Sequence, residues 1–282
     1  YFQRLCGVFL TGTTQEQMLP IFWGSGSNGK STVIGTLLDL LGTDYAMKAP
    51  PALLMAKRSE EHPTEVASLF GMRLVAAIET EEGRRLNETL VKELTGGDRI
   101  RARRMREDFW EFKPTHKVVL STNHKPQIRG TDHAIWRRLR LVPFETKIAD
   151  KDQDLTLPEK LTAEFPGILA WCVRGCLAWQ EDGLKPPDKV TEATNEYRRD
   201  EDVLGGFLAE HCVIQPSCRV RGGALYAKYK EWAEKTGERA VNNTKFGKAM
   251  TERGFERIHN DGTWYVGIGL RPDGSAWEMT VP

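Results

Sequence analysis

The stretch Gly24-Ser25-Gly26-Ser27-Asn28-Gly29-Lys30-Ser31-Thr32 fits the pattern G-x-x-x-x-G-K-[ST]. Each residue type has a chemical task. Gly24, Gly26 and Gly29 let backbone N–H groups turn inward around phosphate oxygens. The helix expected after Gly29 presents its positive N-terminal end to the same anion. Lys30 reaches the β- and γ-phosphates, and Ser31 offers a hydroxyl to Mg²⁺. Ser27, Asn28 and Thr32 complete a candidate cradle for a nucleoside triphosphate. The loop alone does not distinguish a motor from a kinase or a switch.

Three further groups could act on a bound triphosphate. Leu74-Val75-Ala76-Ala77-Ile78 is a continuous apolar run that ends in Glu79-Thr80-Glu81-Glu82. A carboxylate at Glu79 suits Mg²⁺, held through its water shell. A second carboxylate suits the attacking water; Glu81 is the first choice and Glu82 the alternative. Asn123 closes another apolar run, and a neutral amide beside a γ-phosphate holds water without adding charge. Ile135-Trp136-Arg137-Arg138-Leu139-Arg140 places cations before a third run. An arginine is useful at a γ-phosphate in the transition state and is often supplied by a neighbouring subunit. Arg138 is the first choice for that role and Arg137 the second. A trans arginine would make hydrolysis depend on an oligomer.

Between the acids and the amide lies Gly96-Gly97-Asp98-Arg99-Ile100-Arg101-Ala102-Arg103-Arg104-Met105-Arg106, with Phe109 and Phe112 beyond it. The alternation around Ile100 and Ala102 reads as a hairpin. Arg101, Arg103, Arg104 and Arg106 on it could track a phosphate backbone.

These groups need a scaffold. Met18 to Trp23 reads as a strand that enters the loop. Lys30 to Leu41 reads as a helix, with Val33, Ile34, Leu37, Leu38 and Leu41 at three-to-four spacing. Leu74 to Ile78, Lys117 to Ser121 and Leu139 to Phe144 are continuous apolar runs, as strands buried on both faces of a parallel sheet are. The expected class is α/β, with chemistry at the carboxyl ends of strands. Gly24, Glu79 and Asn123 all fall there. Four zones follow: residues 1–16 as the end of an N-terminal helical region closing at Gly12, 17–145 as the core, 146–200 as a helical linker broken at Pro186-Pro187, and 201–282 as a small C-terminal domain.

Composition sets limits. The chain has 282 residues, Lys+Arg 40 against Asp+Glu 39 and a net charge of +1. A fold that binds polyanions by bulk charge is excluded, so any nucleic-acid site is a local patch. The most apolar stretch, Gly167 to Trp179, is interrupted by Arg174 and is too short to span a bilayer. No signal peptide is visible, and the first residue is not Met, so the chain is expected to begin inside a longer protein. Five cysteines without a CxxC pair point to free thiols in a reducing compartment such as the cytoplasm. Cys172 and Cys176, beside Trp171 and Trp179, read as the core of a helix. His211, Cys212 and Cys218 lack a fourth partner for zinc.

The motif order resembles that of a superfamily 3 helicase. The similarity is closest to the C-terminal helicase part of phage and plasmid primase–helicases, the branch that includes the poxvirus type. It is carried by GSGSNGKST (24–32), LVAAIETEEG (74–83), KELTGGDRIRARRMREDFWEF (92–112), VVLSTNHKP (118–126) and GTDHAIWRRLRLVPF (130–144). The resemblance implies an AAA+-like ATPase core and a hexameric ring that moves along single-stranded DNA with ATP and Mg²⁺. It also implies a primase region N-terminal to this part, in a bacterial host if phage or plasmid encoded. Residue by residue, it implies Lys30 and Ser31 at nucleotide and metal, Glu79 as the metal acid, Asn123 as sensor and Arg138 as the neighbour's finger. The 101–106 hairpin would lie in the ring channel. The Glu-Thr-Glu-Glu spacing departs from adjacent acids and leaves the water-orienting residue open.

In the C-terminal zone, Val203 to Cys212, Gly223 to Thr236 and a segment capped at Asn242 or Asn243 read as helices. Phe255 to Ile258 and Thr263 to Ile268 then read as a β-wing. Helices followed by a wing resemble a winged-helix domain, with Lys245 and Lys248 on or near a DNA-recognition helix. The function expected is ATP-dependent unwinding of DNA. The alternative is an ATP-switched DNA-binding initiator that separates no strands. A small-molecule kinase would leave the arginine hairpin without a purpose.

Overall fold

Side chains alternate between the two faces of a strand, so a strand that is apolar throughout must be covered on both sides. The runs read above form strands of this kind, with Lys117 at the start of one and half-buried Arg140 inside another. The computed structural model describes residues 1–56, 63–78, 82–128, 133–238 and 240–271. The chain divides into two units, Tyr1–Tyr197 and Arg198–Pro282.

In the first unit the elements run α1 (Phe2–Phe9), β1 (Leu19–Trp23), α2 (Lys30–Tyr45), β2 (Ala46–Ala49), α3 (Pro63–Ala67), β3 (Leu74–Ile78), α4 (Glu88–Thr95), β4 (Ile100–Ala102), β5 (Trp110–Phe112), β6 (Lys117–Thr122), α5 (His133–Trp136), β7 (Leu139–Pro143), α6 (Leu157–Ala163), α7 (Phe165–Asp182) and α8 (Asp188–Asp200). One all-parallel sheet has the order β2-β3-β6-β1-β7. Thus β6, which leads to Asn123, lies between the strand that feeds the phosphate loop and the strand that leads to Glu79.

Alternation assigns the strand residues to two cores. Leu19, Ile21, Val75, Ala77, Val118, Leu120, Leu139 and Leu141 face one side, with α4, the β4–β5 hairpin and α5. Met18, Phe22, Leu74, Ala76, Val119 and Val142 face the other, with α1, α2 and α7. On that second side α1 and α7 nearly touch along their backbones. A Cβ on Gly7 would stand 2.1 Å from the Cys176 nitrogen, and one on Gly175 would stand 2.1 Å from the Gln3 oxygen. Cys172 is buried in this seam, while Cys176 is only half-buried.

Around the phosphate loop the structure adds to the sequence reading. The helix after the loop extends beyond Leu41 to Tyr45, across a break at Gly42, where φ is 66°. The short strand β2, with Lys48 exposed, has too few apolar residues to announce itself.

The second unit runs α9 (Val203–His211), β8 (Cys212–Arg221), α10 (Gly222–Thr236), α11 (Asn243–Glu252), β9 (Arg257–Asn260) and β10 (Gly262–Leu270). Its antiparallel sheet has the order β8-β10-β9. Val220, Tyr265 and Ile268 pack against Leu225, Tyr229, Phe246 and Met250 from the helices. Asn242 caps α11 by accepting from the Lys245 N–H at 2.9 Å. Asp202 accepts both from the Gly205 N–H at 2.9 Å and from the Arg253 guanidinium, tying the start of α9 to the end of α11. Among the described residues, no helix is long and apolar enough to cross a membrane.

Candidate functional site

The phosphate loop is held from three directions. The Gly24 N–H donates to the Thr122 oxygen at 3.4 Å, the Asn28 amide donates to the Phe144 oxygen at 2.8 Å, and the Ile148 N–H donates to the Ser27 oxygen at 2.7 Å. The ends of β6 and β7 therefore clamp the loop between them. Gly24 has no room for a side chain: a Cβ there would stand 2.2 Å from the Phe144 oxygen. Gly29 ends the loop at φ 84°, a left-handed conformation that glycine adopts without strain.

Lys30 opens α2 and is only 5% exposed. Its ammonium donates to the Gly24 oxygen at 2.7 Å, Asn28 Oδ1 at 3.0 Å and Asn123 Oδ1 at 3.1 Å. Burial lowers its pKa from the ordinary lysine value. All three acceptors are neutral, so none of them cancels the charge of the ammonium. The N–H groups of Ser27, Asn28, Gly29, Lys30 and Ser31 have no acceptor among the described residues. These donors, at a helix N-terminus beside an ammonium that meets no carboxylate among the described residues, fit a polyphosphate. Ser31 is exposed on the first turn of α2, and Thr32 follows it, half-buried.

Asn123 is exposed at the end of β6. Its backbone oxygen accepts from Trp23 Nε1 at 3.1 Å. The Thr122 hydroxyl turns the chain beside it by donating to the His124 oxygen at 2.7 Å. Glu79 and Glu81 lie outside the described residues. The strand before them pairs with β6 up to Ile78 opposite Ser121. Glu82 is exposed.

The two arginines differ in exposure. Arg138 is only 7% exposed. Its guanidinium donates to Thr95 Oγ1 at 3.1 Å and to the Ala134 oxygen at 2.6 Å. Arg138 is thus enclosed by residues of its own chain. Arg137 is exposed and donates to Gln17 Oε1 at 2.8 Å. Consecutive residues at this helix end point to opposite sides, and residue type cannot say which one points out. Both arginines precede β7, whose first residue, Leu139, pairs with Leu19, whereas the phosphate loop follows the far end of β1. The length of β1 is about 17 Å at about 3.3 Å per residue, so Arg137 does not reach its own loop.

The hairpin forms as read. Ile100 pairs with Phe112 and Ala102 with Trp110. Arg101 and Arg103 lie over the Phe109 ring at 4.5 and 4.8 Å, and Arg104 over Trp110 at 6.0 Å. Arg101, Arg104, Met105 and Arg106 are exposed, and Arg103 is half-buried. Among the described residues, none of these arginines is in an ion pair. In the second unit Lys245 and Lys248 are exposed on α11, and Lys248 pairs with Glu252 at 3.7 Å.

Fold and loop together define a mixed α/β protein with a parallel sheet and a P-loop, of the kind found in helicase cores. Residues 22–138 match the model of a family of unknown function (DUF5906). The chain is 30% identical over 253 residues to "Putative helicase L207/L206" of Acanthamoeba polyphaga mimivirus, covering 82% of this chain and 26% of that protein. It is 24% identical over 239 residues to "Putative primase C962R" of African swine fever virus, covering 77% and 25%. The chain thus spans about a quarter of the length of these relatives. The apo structure of the NrS-1 C-terminal region shares the fold, with a TM-score of 0.55 at 11% identity over 95% of this chain and 71% of that one. The resemblance carried by the motifs stands: the chain resembles the superfamily 3 helicase part of a primase–helicase.

Proposed function

We propose that this chain is the ATP-driven motor of a DNA helicase acting in replication. One relationship carries the reading. The strand order puts β6 beside β1, and the Lys30 ammonium on the loop is bonded to Asn123 at the end of β6. A γ-phosphate seated on Lys30 would displace that amide, which is then placed to hold the attacking water. Ser31 and Glu79 would hold Mg²⁺, which supplies charge neutralisation when bound. Glu81, or Glu82, would orient the water.

The catalytic arginine comes from a second copy of the chain, and Arg137 fills that role better than Arg138. The subunits form a ring, by the AAA+ resemblance a hexamer, and the hairpin of Arg101, Arg103, Arg104 and Arg106 lines its channel and follows one DNA strand. Unit two is a winged helix, supported by its α-β-α-α-β-β order, with Lys245 and Lys248 on the helix that would meet DNA. The domain plan is a helical entry at 1–16, the ATPase core at 17–145, a helical linker at 146–200 and the winged helix at 201–282. The names of the viral relatives support a primase region in the same full-length protein.

The test is strand separation on a forked duplex with and without ATP. ATP-dependent unwinding that Lys30→Ala abolishes supports the motor. DNA binding without unwinding would favour an ATP-switched initiator.

A further inference from the structure

The outer face of the C-terminal sheet carries a basic and aromatic surface to which neither motif nor helix draws attention. Trp264 on β10 pairs with Arg221 on β8 and with Ile258 on β9. Val266, two residues on, pairs with Arg219. Alternation puts Trp264, Val266, Ile258, Arg219 and Arg221 on one face, while Val220 and Tyr265 turn to the core on the other. The Arg219 and Arg221 guanidinium carbons lie 5.4 and 5.2 Å from the Trp264 ring centre. Trp264 is half-buried, and both arginines are exposed.

Two guanidinium groups carry the positive charge of this face, and Asp261 and the exposed Glu256, whose backbone oxygen accepts from the Val266 N–H at 3.0 Å, are acids beside it. Arg219 is in no ion pair among the described residues. Arg221 meets Asp261 at 3.3 Å, but that carboxylate is 97% exposed, so the pair is screened and weak. Two guanidinium groups at a half-open indole offer phosphates a charge and bases a stacking plane. Lys245 and Lys248 are on α11, which packs against the opposite face.

We propose that this face is a second polynucleotide site, taking a single strand with a base stacked at Trp264 and flanking phosphates on Arg219 and Arg221. The proposal rests on the motor reading only for the choice of polymer. Its test uses no ATP, so its failure is separate from loss of turnover in Lys30→Ala.

The experiment is fluorescence anisotropy of the full chain with a labelled oligo-dT and with a labelled duplex, across a salt series. Arg219→Ala with Arg221→Ala is expected to weaken oligo-dT binding at least ~10-fold. It should also flatten the slope of log K against log salt by about 1.4, the share of two phosphates on a single strand. Trp264→Ala should weaken binding about 5- to 100-fold, as loss of one base stack does. Trp264→Phe, which keeps a ring, should restore most of it and serves where the alanine variant folds poorly. Unchanged oligo-dT affinity and salt slope in the double arginine variant overturn the proposal. So does an equal or larger loss on the duplex, which would make the occupant a double helix.

Discussion

Lys30 Nζ and Asn123 Oδ1 stand 3.1 Å apart, so the phosphate loop after β1 and the end of β6 are joined by one hydrogen bond between side chains distant in sequence. The amide is neutral, so it occupies the ammonium without cancelling its charge. Asn123→Asp would put a carboxylate there, pair it with Lys30 and repel the incoming phosphate. Weaker nucleotide binding and about 100-fold slower turnover are expected, on the scale of losing one preorganised polar group. Titration with a fluorescent ATP analogue and a phosphate-release assay measure both. Lys30→Ala should show no hydrolysis at all, and residual wild-type turnover there would remove the site.

The seam between α1 and α7 makes a prediction about stability. Alanine at Gly175 forces a Cβ into the Gln3 backbone, with no flexible group to yield. Gly175→Ala is expected to cost about 1–3 kcal/mol or more, as overpacking does. Gly35, in the middle of α2, has nothing within 4 Å of such a Cβ and no positive φ. Gly35→Ala should instead stabilise by about 0.5–1 kcal/mol. Urea unfolding followed by circular dichroism compares the pair. A loss at Gly35 equal to that at Gly175 would contradict the packing argument.

Some of these features are legible in the chain alone because a single residue type meets the physical demand. Backbone N–H groups cradle phosphate only where glycine permits, so Gly24, Gly26 and Gly29 mark the loop. Strands covered on both faces must be largely apolar, so β1, β3 and the part of β6 after Lys117 stand out as apolar runs, and β7 does so despite Arg140. The hairpin is visible because arginines alternate with Ile100 and Ala102. Other features depend on neighbours that the chain order does not reveal. Strand β8 is hidden because Gln215, Pro216 and Ser217 interrupt its pattern and Ile214 faces solvent, so neither alternation nor an apolar run marks it. The close approach of Gly7 to Gly175 joins two helices far apart in the chain, and spacing within either one says nothing of it. Arg137 and Arg138 are chemically identical, and only the packing of α4 against α5 separates the exposed one from the enclosed one.

His116 gives a pH dependence with a definite sign. It is 1% exposed, just before β6. Burial pushes its pKa down to about 4. Neither ring nitrogen makes a well-formed hydrogen bond among the described residues, and the nearby Leu69 and Leu94 carbonyls oppose only part of the shift. The folded pKa is below the unfolded value of about 6.5, so the unfolded chain binds more protons between those values. Stability is therefore fully present above pH ~6.5 and is lost as pH falls toward ~4. The loss near pH ~4.5 is about 2–3 kcal/mol. Urea midpoints at neutral pH and at pH ~4.5 measure it, and His116→Leu should remove this share of the difference. An unchanged difference in that variant would assign the acid sensitivity to other groups.

The hairpin arginines predict a salt effect. Replacing Arg103, Arg104 and Arg106 together with alanine removes three cations that pair with no acid among the described residues. If each meets one phosphate, the slope of log K against log salt for single-stranded DNA should flatten by about 2. Affinity should fall most at low salt. Anisotropy across a salt series reads both quantities, and an unaltered slope would take the hairpin off the strand.

Arg137 and Arg138 separate a role in catalysis from a role in folding. Arg138 is enclosed and bonded to Thr95 and Ala134, so Arg138→Ala removes a buried donor from the Thr95 hydroxyl. Its main effect should be a lower unfolding midpoint, with a cost of about 1–3 kcal/mol. The exposed Arg137 side chain donates to Gln17, a surface contact between neutral and charged groups, so Arg137→Ala should melt like the parent. If Arg137 acts on a neighbour's γ-phosphate, that same variant should lose about 1,000-fold in turnover while still binding nucleotide. Mixing tests the trans geometry directly. An Arg137→Ala subunit retains an intact phosphate loop, and a Lys30→Ala subunit retains an intact arginine. Together they should regain part of the activity that each lacks alone. No recovery, with mixed oligomers shown to form, would place the catalytic cation within the same subunit.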